Sequence, residues 1–262
     1  MLKFSAALLL FFVSFTVQAQ TWEIGGTVGG AGYIGDLNSS PFKPSGATAG
    51  LFVKRNFNGY LSARLNYQYG KIGGADSTSK HEQIYNRNLS FTDGLSELSL
   101  MAEFNFMKYI PDAGKNKYTP YIFLGVGITS FDPKTMYQGS EVTLRDLRTE
   151  GQTSEYKKST IVIPYGAGIK YNVGGKWTLG AELGYRYTRT DFLDDVSGYY
   201  APASALPTPL SVVLADRSGE RTGTYLGTPG SQRGDLRTKD IYMFFGFTIS
   251  YTFVTEKCYY QE

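Results

Sequence analysis

The sequence predicts an all-β protein: an eight-stranded antiparallel transmembrane β-barrel with long extracellular loops and short periplasmic turns. Three observations lead there. The stretch 240–253 alternates strictly, with Ile241, Met243, Phe245, Phe247, Ile249, Tyr251 and Phe253 on one parity and Tyr242, Phe244, Gly246, Thr248, Ser250 and Thr252 on the other. Two-residue alternation means an extended strand with two chemically different faces. At ~3.4 Å per residue this one is long enough to cross a bilayer at a tilt. Seven further stretches alternate in the same way, and their connections run long, short, long, short, as in bacterial outer-membrane barrels. Composition agrees, with 21 Tyr, 17 Phe and 31 Gly suiting aromatic girdles and close backbone packing.

In chain order, residues 1–19 are expected to be a signal peptide: Lys3 is the positive end, 4–17 the apolar run, and Val17-Gln18-Ala19 the cleavage site. The barrel is expected over 20–253. Strand one, 21–33, carries Trp22, Ile24 and Val28 on one parity among many glycines. Strand two, 46–55, sets Ala47, Ala49, Leu51 and Val53 against Thr48, Gly50 and Phe52, and the turn 56–59 reverses the chain. Strand three, 61–70, is the cleanest, with Leu61, Ala63, Leu65, Tyr67 and Tyr69 opposite Ser62, Arg64, Asn66, Gln68 and Gly70. The polar segment 71–94 is expected to be a long loop.

Strand four, 95–106, places Leu98, Leu100, Ala102, Phe104 and Phe106 outward, opposite Glu97, Ser99, Glu103 and Asn105. A Pro-Asp-Ala-Gly turn leads into strand five, 118–130. A charged loop over 131–158 precedes strand six, 159–172; a tight turn at Gly174 leads to strand seven, 176–190. About fifty residues of loop separate that strand from the last one. The turns near Asn58, Ala113 and Gly174 are assigned to the periplasm with both termini, and 254–262 to a periplasmic tail. Alternation of this kind also fits a soluble β-sandwich. Strands beyond ten residues, mid-strand charges on the polar face and alternating connection lengths favour the barrel.

Eight strands enclose a lumen just wide enough for side chains, so a diffusion pore is not expected. The inward parity carries Arg64, Lys170 and Arg186 against Glu97, Glu103 and Glu182. Buried charges are costly unpaired, so these six are predicted to form one mutual network and to act as a plug, not as an ion path.

Little else suggests chemistry. Removing Lys3 leaves 25 Lys and Arg against 23 Asp and Glu, too balanced for nucleic-acid binding. His81 is the single imidazole and sits in a loop with Ser77, Ser79 and Ser90 at no dyad spacing. An enzyme, a cofactor and a small-molecule substrate are therefore not expected. Asp191, Asp194 and Asp195 offer oxygen ligands for Ca²⁺, but D-F-L-D-D lacks an EF-hand pattern and reads as a solvated loop base, so no metal is expected. Cys258 has no internal disulfide partner.

Several stretches together resemble the PorG family of Bacteroidetes outer-membrane proteins, part of the type IX secretion apparatus. They are G-A-G-Y-I-G-D-L-N (30–38), N-R-N-L-S-F (86–91), E-L-S-L-M-A-E-F-N-F (97–106), T-P-Y-I-F-L-G-V-G (119–127), I-P-Y-G-A-G-I-K-Y-N (163–172), G-Y-R-Y-T-R-T-D-F-L-D-D-V-S (184–197) and A-D-R-S (215–218). The second and the end of the sixth are the more telling, because they fall in expected loops that barrel physics does not constrain. The resemblance implies a non-enzymatic role in protein secretion, anchoring or contacting a periplasmic PorK/PorN-like lipoprotein ring, with outer-membrane lipids as the other partner. On that basis Cys258, Tyr259 and Tyr260 in the tail are candidate partner contacts. The alternative is a general OmpA-like small surface barrel for adhesion or envelope integrity.

Overall fold

The structure is a computed structural model that describes residues 21–38, 40, 43–112, 114–237 and 239–254. The expected signal peptide, 1–19, lies outside the described residues, as do Cys258, Tyr259 and Tyr260. Val254, assigned to the tail from sequence, is instead the last residue of the closing strand.

Eight strands form the staves: β1 (Thr21–Ile34), β2 (Pro44–Asn56), β3 (Leu61–Ala75), β4 (Ser90–Asn105), β5 (Tyr118–Ser130), β8 (Ser159–Gly174), β9 (Trp177–Thr188) and β10 (Ile241–Val254). A small hairpin, β6 (Lys134–Tyr137) and β7 (Ser140–Thr143), leaves the wall between β5 and β8. Neighbouring staves pair antiparallel, and the ring closes where β1 meets β10, from Thr21 opposite Val254 to Ile34 opposite Ile241. Staves of 12 to 16 residues are long enough to cross a membrane at the tilt that closure imposes.

The faces follow the parity of each strand. Leu51 (69% exposed), Leu100 (55%) and Phe247 (73%) point outward with Val28, Leu124 and Val126, forming an apolar belt around the wall. Trp22, Phe253, Trp177, Tyr171, Tyr118 and Phe106 ring the end that carries the short turns. So much exposed apolar surface on a monomer has one physical solvent, lipid, and the fold is a transmembrane barrel.

Two expectations about loops are corrected. Residues 71–75 pair with 90–94, so β3 and β4 extend into a segment read as a polar loop, and Ser90 and Phe91 of N-R-N-L-S-F are strand residues. Gly73, Gly74, Gly94 and Asp93 break the alternation there, while the ladder continues through backbone hydrogen bonds that need no side chain. The loop 131–158 contains the β6–β7 hairpin and a 3-10 turn, Arg145–Leu147.

The largest apolar core lies not at mid-barrel but at the long-loop end. Tyr33, Leu37, Phe91, Phe131, Leu144, Leu193, Val196 and Leu214 come from five segments and pack into one buried cluster with Tyr242 and Phe244 from the barrel mouth. Short helices α1 (Glu82–Arg87), α2 (Pro209–Ala215) and α3 (Gly219–Thr222) sit in the loops around it. The long connections thus build a fixed crown over one mouth of the barrel.

Candidate functional site

Two polar assemblies are buried in the molecule, one in the lumen and one under the crown. In the lumen, Arg64 (2% exposed) donates to both carboxylate oxygens of Glu182, at 2.7 and 3.0 Å, and its Nε lies 3.1 Å from Glu103 Oε1. Lys170 Nζ donates to Glu103 Oε2 at 2.6 Å and to Asn105 at 3.1 Å, while sitting 4.0 Å from the centre of the Tyr121 ring. Arg186 stands apart. Its Nε meets Glu97 Oε2 at 3.1 Å, Tyr242 donates to the same oxygen at 2.7 Å, and Phe244 lies under the guanidinium.

The six residues singled out from sequence therefore fall into two groups, Arg186–Glu97 and the cluster around Glu103. That cluster also holds two charges the sequence reading missed. Lys54 Nζ lies 2.8 Å from Glu23 Oε1 and 3.5 Å from Glu103 Oε2. Both follow from parity: Lys54 shares a face with Thr48 and Phe52, and Glu23 with Thr27. With these two, the cluster balances three cations against three anions and the second group balances one against one. Met101, Tyr121 and Phe123 fill the space between the ion pairs. Phe123 packs so closely on β9 that a Cβ on Gly184 would sit 2.7 Å from its ring and 2.7 Å from Arg186 Nη1.

Under the crown the arrangement reverses, and anions gather. Asp36 follows β1, Asp194 lies in the loop after β9, and Asp240 immediately precedes β10. All three are buried, and one carboxylate oxygen from each lies within 4.8 Å of the other two. The Tyr33 hydroxyl donates to Asp194 Oδ2 and lies 3.3 Å from Asp240 Oδ1. Backbone amides serve other oxygens: Val196 to Asp194 Oδ1 (2.9 Å), Leu193 to Asp240 Oδ2 (3.0 Å) and Asp235 to Asp36 Oδ1. Asp36 Oδ2 is buried and has no hydrogen-bond partner among the described residues.

Burial pushes these carboxyls up: Asp36 to about 7, with the charges of Asp235 and Asp191 adding to the effect, and Asp194 and Asp240 well above the usual carboxylate range, with the charge of Asp36 adding to it. Burial likewise takes Asp191 and Asp195 to about 6. The expectation that Asp191, Asp194 and Asp195 form a solvated loop base is overturned. Asp195 is wholly buried, accepting from Thr149 (2.5 Å) and Tyr156 (2.8 Å), while Asp191 accepts from Ser197 at 2.8 Å.

Arginines lock the surroundings. Arg87 grips Asp76 with two hydrogen bonds (2.7 and 2.8 Å) and reaches the carbonyls of Asp36 and Arg233. Arg233 in turn holds Glu150 (2.9 Å) and the carbonyls of Asp195 and Ala215. A cleft of about 410 Å³ opens beside them, bordered by Asp36, Arg87, Tyr200, Gln232, Arg233 and Asp235. Sequence reasoning missed Asp36, Asp76, Arg87, Arg233 and Asp240, since nothing in their local spacing shows that they meet. His81 begins α1 on the exposed side, with its amide donating to Ser79 (3.1 Å), and Ser90 faces Thr135 (3.2 Å). Among the described residues no hydrogen bond joins a serine hydroxyl to the imidazole.

Comparison with known proteins gives a family and a set of barrels. Residues 2–203 match a family described as a domain of unknown function (DUF6089). No curated protein matches the chain. Among solved structures, the chain is similar to the outer membrane protein OprG from Pseudomonas aeruginosa, with 11% identity over 91% of this chain and 98% of that one and a TM-score of 0.44. It is also similar to Ail, the attachment invasion locus protein of Yersinia pestis, with 10% identity over 90% of this chain and all of that one and a TM-score of 0.39.

Proposed function

The chain belongs to the DUF6089 family, whose description assigns it no role, and from that premise we propose that it is an outer-membrane barrel whose crown is its working surface, serving adhesion or envelope integrity. The observation that carries this reading is the division of labour along the axis. The lumen is filled by compensated ion pairs and aromatic rings, which argues against transport through it. The long connections are instead invested in a buried core and arginine clamps that hold one fixed outer shape. In this reading the crown faces outward and both termini face the periplasm. A strain lacking the protein, complemented with a version in which 134–143 or 223–232 is replaced by a short Gly-Ser linker, tests it. Loss of surface attachment or of detergent resistance with normal protein export supports the proposal; full function with both segments removed overturns it.

A second reading is an anchor for a type IX secretion ring. What favours it is the set of stretches resembling PorG proteins, two of which, N-R-N-L-S-F and T-D-F-L-D-D-V-S, supply Arg87, Asp194 and Asp195 to the crown. This reading puts the working contacts at the short turns and at Cys258, Tyr259 and Tyr260. A mild-detergent pull-down of the tagged protein separates the two. Recovery of a PorK/PorN-like lipoprotein, with export lost on deletion, selects the anchor, and a solitary barrel selects the surface role.

A further inference from the structure

We propose that Asp36, Asp194 and Asp240 form a calcium site that staples the crown to the barrel rim. Three observations carry it. First, the spacing fits: one carboxylate oxygen from each residue lies within 4.8 Å of the other two, so a cation centred among them comes within about 2.8 Å of all three, and a small inward turn of the carboxylates reaches the Ca²⁺–oxygen range of ~2.3–2.6 Å. Mg²⁺ demands a near-ideal octahedron at ~2.0–2.1 Å and keeps several waters, which suits a buried set of protein carboxylates less well than Ca²⁺ does. Second, the donors are hard oxygens, and none of the three carboxylates forms a salt bridge among the described residues. Arg87, whose charge is felt by Asp36 and Asp194, spends its hydrogen bonds on Asp76 and on two carbonyls, not on the three carboxylates. Third, Asp36 is 93% buried, yet its Oδ2 has no hydrogen-bond partner among the described residues, although its Oδ1 is taken by the Asp235 amide. A buried anionic oxygen left without a donor costs several kcal/mol of desolvation unless a cation or proton meets it.

The backbone around the cluster is kept clear for close approach. A Cβ on Gly35 would come within 2.1 Å of both Asp240 Oδ1 and the Tyr33 hydroxyl, and one on Gly234 within 2.5 Å of Asp36 Oδ1. Tyr33 supplies a neutral oxygen beside the carboxylates. The three ligands come from the end of β1, the loop after β9 and the start of β10, so one ion would tie the long loop to both strands of the barrel seam. Such a site would act structurally and would not make the protein a calcium enzyme.

The experiment uses the full mature chain, refolded in detergent and stripped of cations by chelator and dialysis. Calcium chloride is titrated by calorimetry, and Tb³⁺ is added separately to read luminescence sensitised by Tyr33. One saturable site, lost in Asp194→Asn and in Asp240→Asn and accompanied by at least tenfold slower proteolysis of the crown when Ca²⁺ is present, is the expected result. The asparagine variants keep side-chain shape, and the heat-modifiable gel shift of the barrel reports that they have folded. No saturable binding to the wild type at millimolar Ca²⁺ would overturn the site. So would binding that survives in the Asp36→Asn, Asp194→Asn, Asp240→Asn triple variant.

Discussion

Arg64 and Glu182 face each other across the lumen from β3 and β9 and share two hydrogen bonds, at 2.7 and 3.0 Å, in a planar fork. The pair joins staves on opposite sides of the ring and leans on Glu103 at its centre. Removing one member is expected to cost more than removing both. Arg64→Met leaves Glu182 and Glu103 buried without that counter-charge and should lower unfolding stability by about 3–5 kcal/mol. Arg64→Met with Glu182→Leu should recover part of that loss. Urea unfolding in lipid vesicles, followed by Trp fluorescence, measures both.

Lys54 and Glu23 give a sharper test of the same network. Lys54→Met removes the cation that spans Glu23 and Glu103, at 2.8 and 3.5 Å. Its effect should be non-additive with Lys170→Met, because both cations serve Glu103, with a coupling of about 0.5–3 kcal/mol in a double-mutant cycle.

The belt predicts a gradient with depth. Leu100 sits mid-strand on the outer face, and Leu100→Arg should destabilise the inserted barrel by about 2–4 kcal/mol. Tyr171→Arg, within the aromatic ring at the short-turn end, should cost about 0–1 kcal/mol. Equal effects in vesicle refolding would argue against the membrane placement of the belt.

The crown should fail without the barrel failing. Leu193 and Leu214 are essentially fully buried in the crown core, and Leu214→Ala should cost about 2–5 kcal/mol locally. The expected result is faster proteolysis within 199–232 and an unchanged heat-modifiable band. Arg87→Lys should loosen the same region despite keeping the charge, because an ammonium cannot reproduce the fork on Asp76 while also reaching two carbonyls.

The wall was legible in the sequence because every stave meets lipid on one side and a lumen on the other, so period two is written into each. That same rule contained Glu23 and Lys54. Glu23 was hidden among glycines that blur the parity of β1, and Lys54 stood near a strand end, where a lysine reaching for the interface is the ordinary expectation. The crown was not legible. Its contacts join Tyr33 to Asp194 and Arg87 to Arg233, residues 161 and 146 apart, through hydrogen bonds to backbone and short polar side chains that leave no periodic trace. The run of aspartates after β9 looked solvated because composition cannot show that two other loops fold over it.

The seam between β1 and β10 also sets an order of events. The first stave and the last must find each other across more than two hundred residues, from Thr21 to Val254, so the ring can close only when the final strand has arrived. Because the aspartate cluster takes Asp36 from one side of that seam and Asp240 from the other, that part of the crown is complete only on a closed ring. Anything that grips the crown across that seam, an antibody included, therefore recognises finished molecules and passes over those caught midway through insertion.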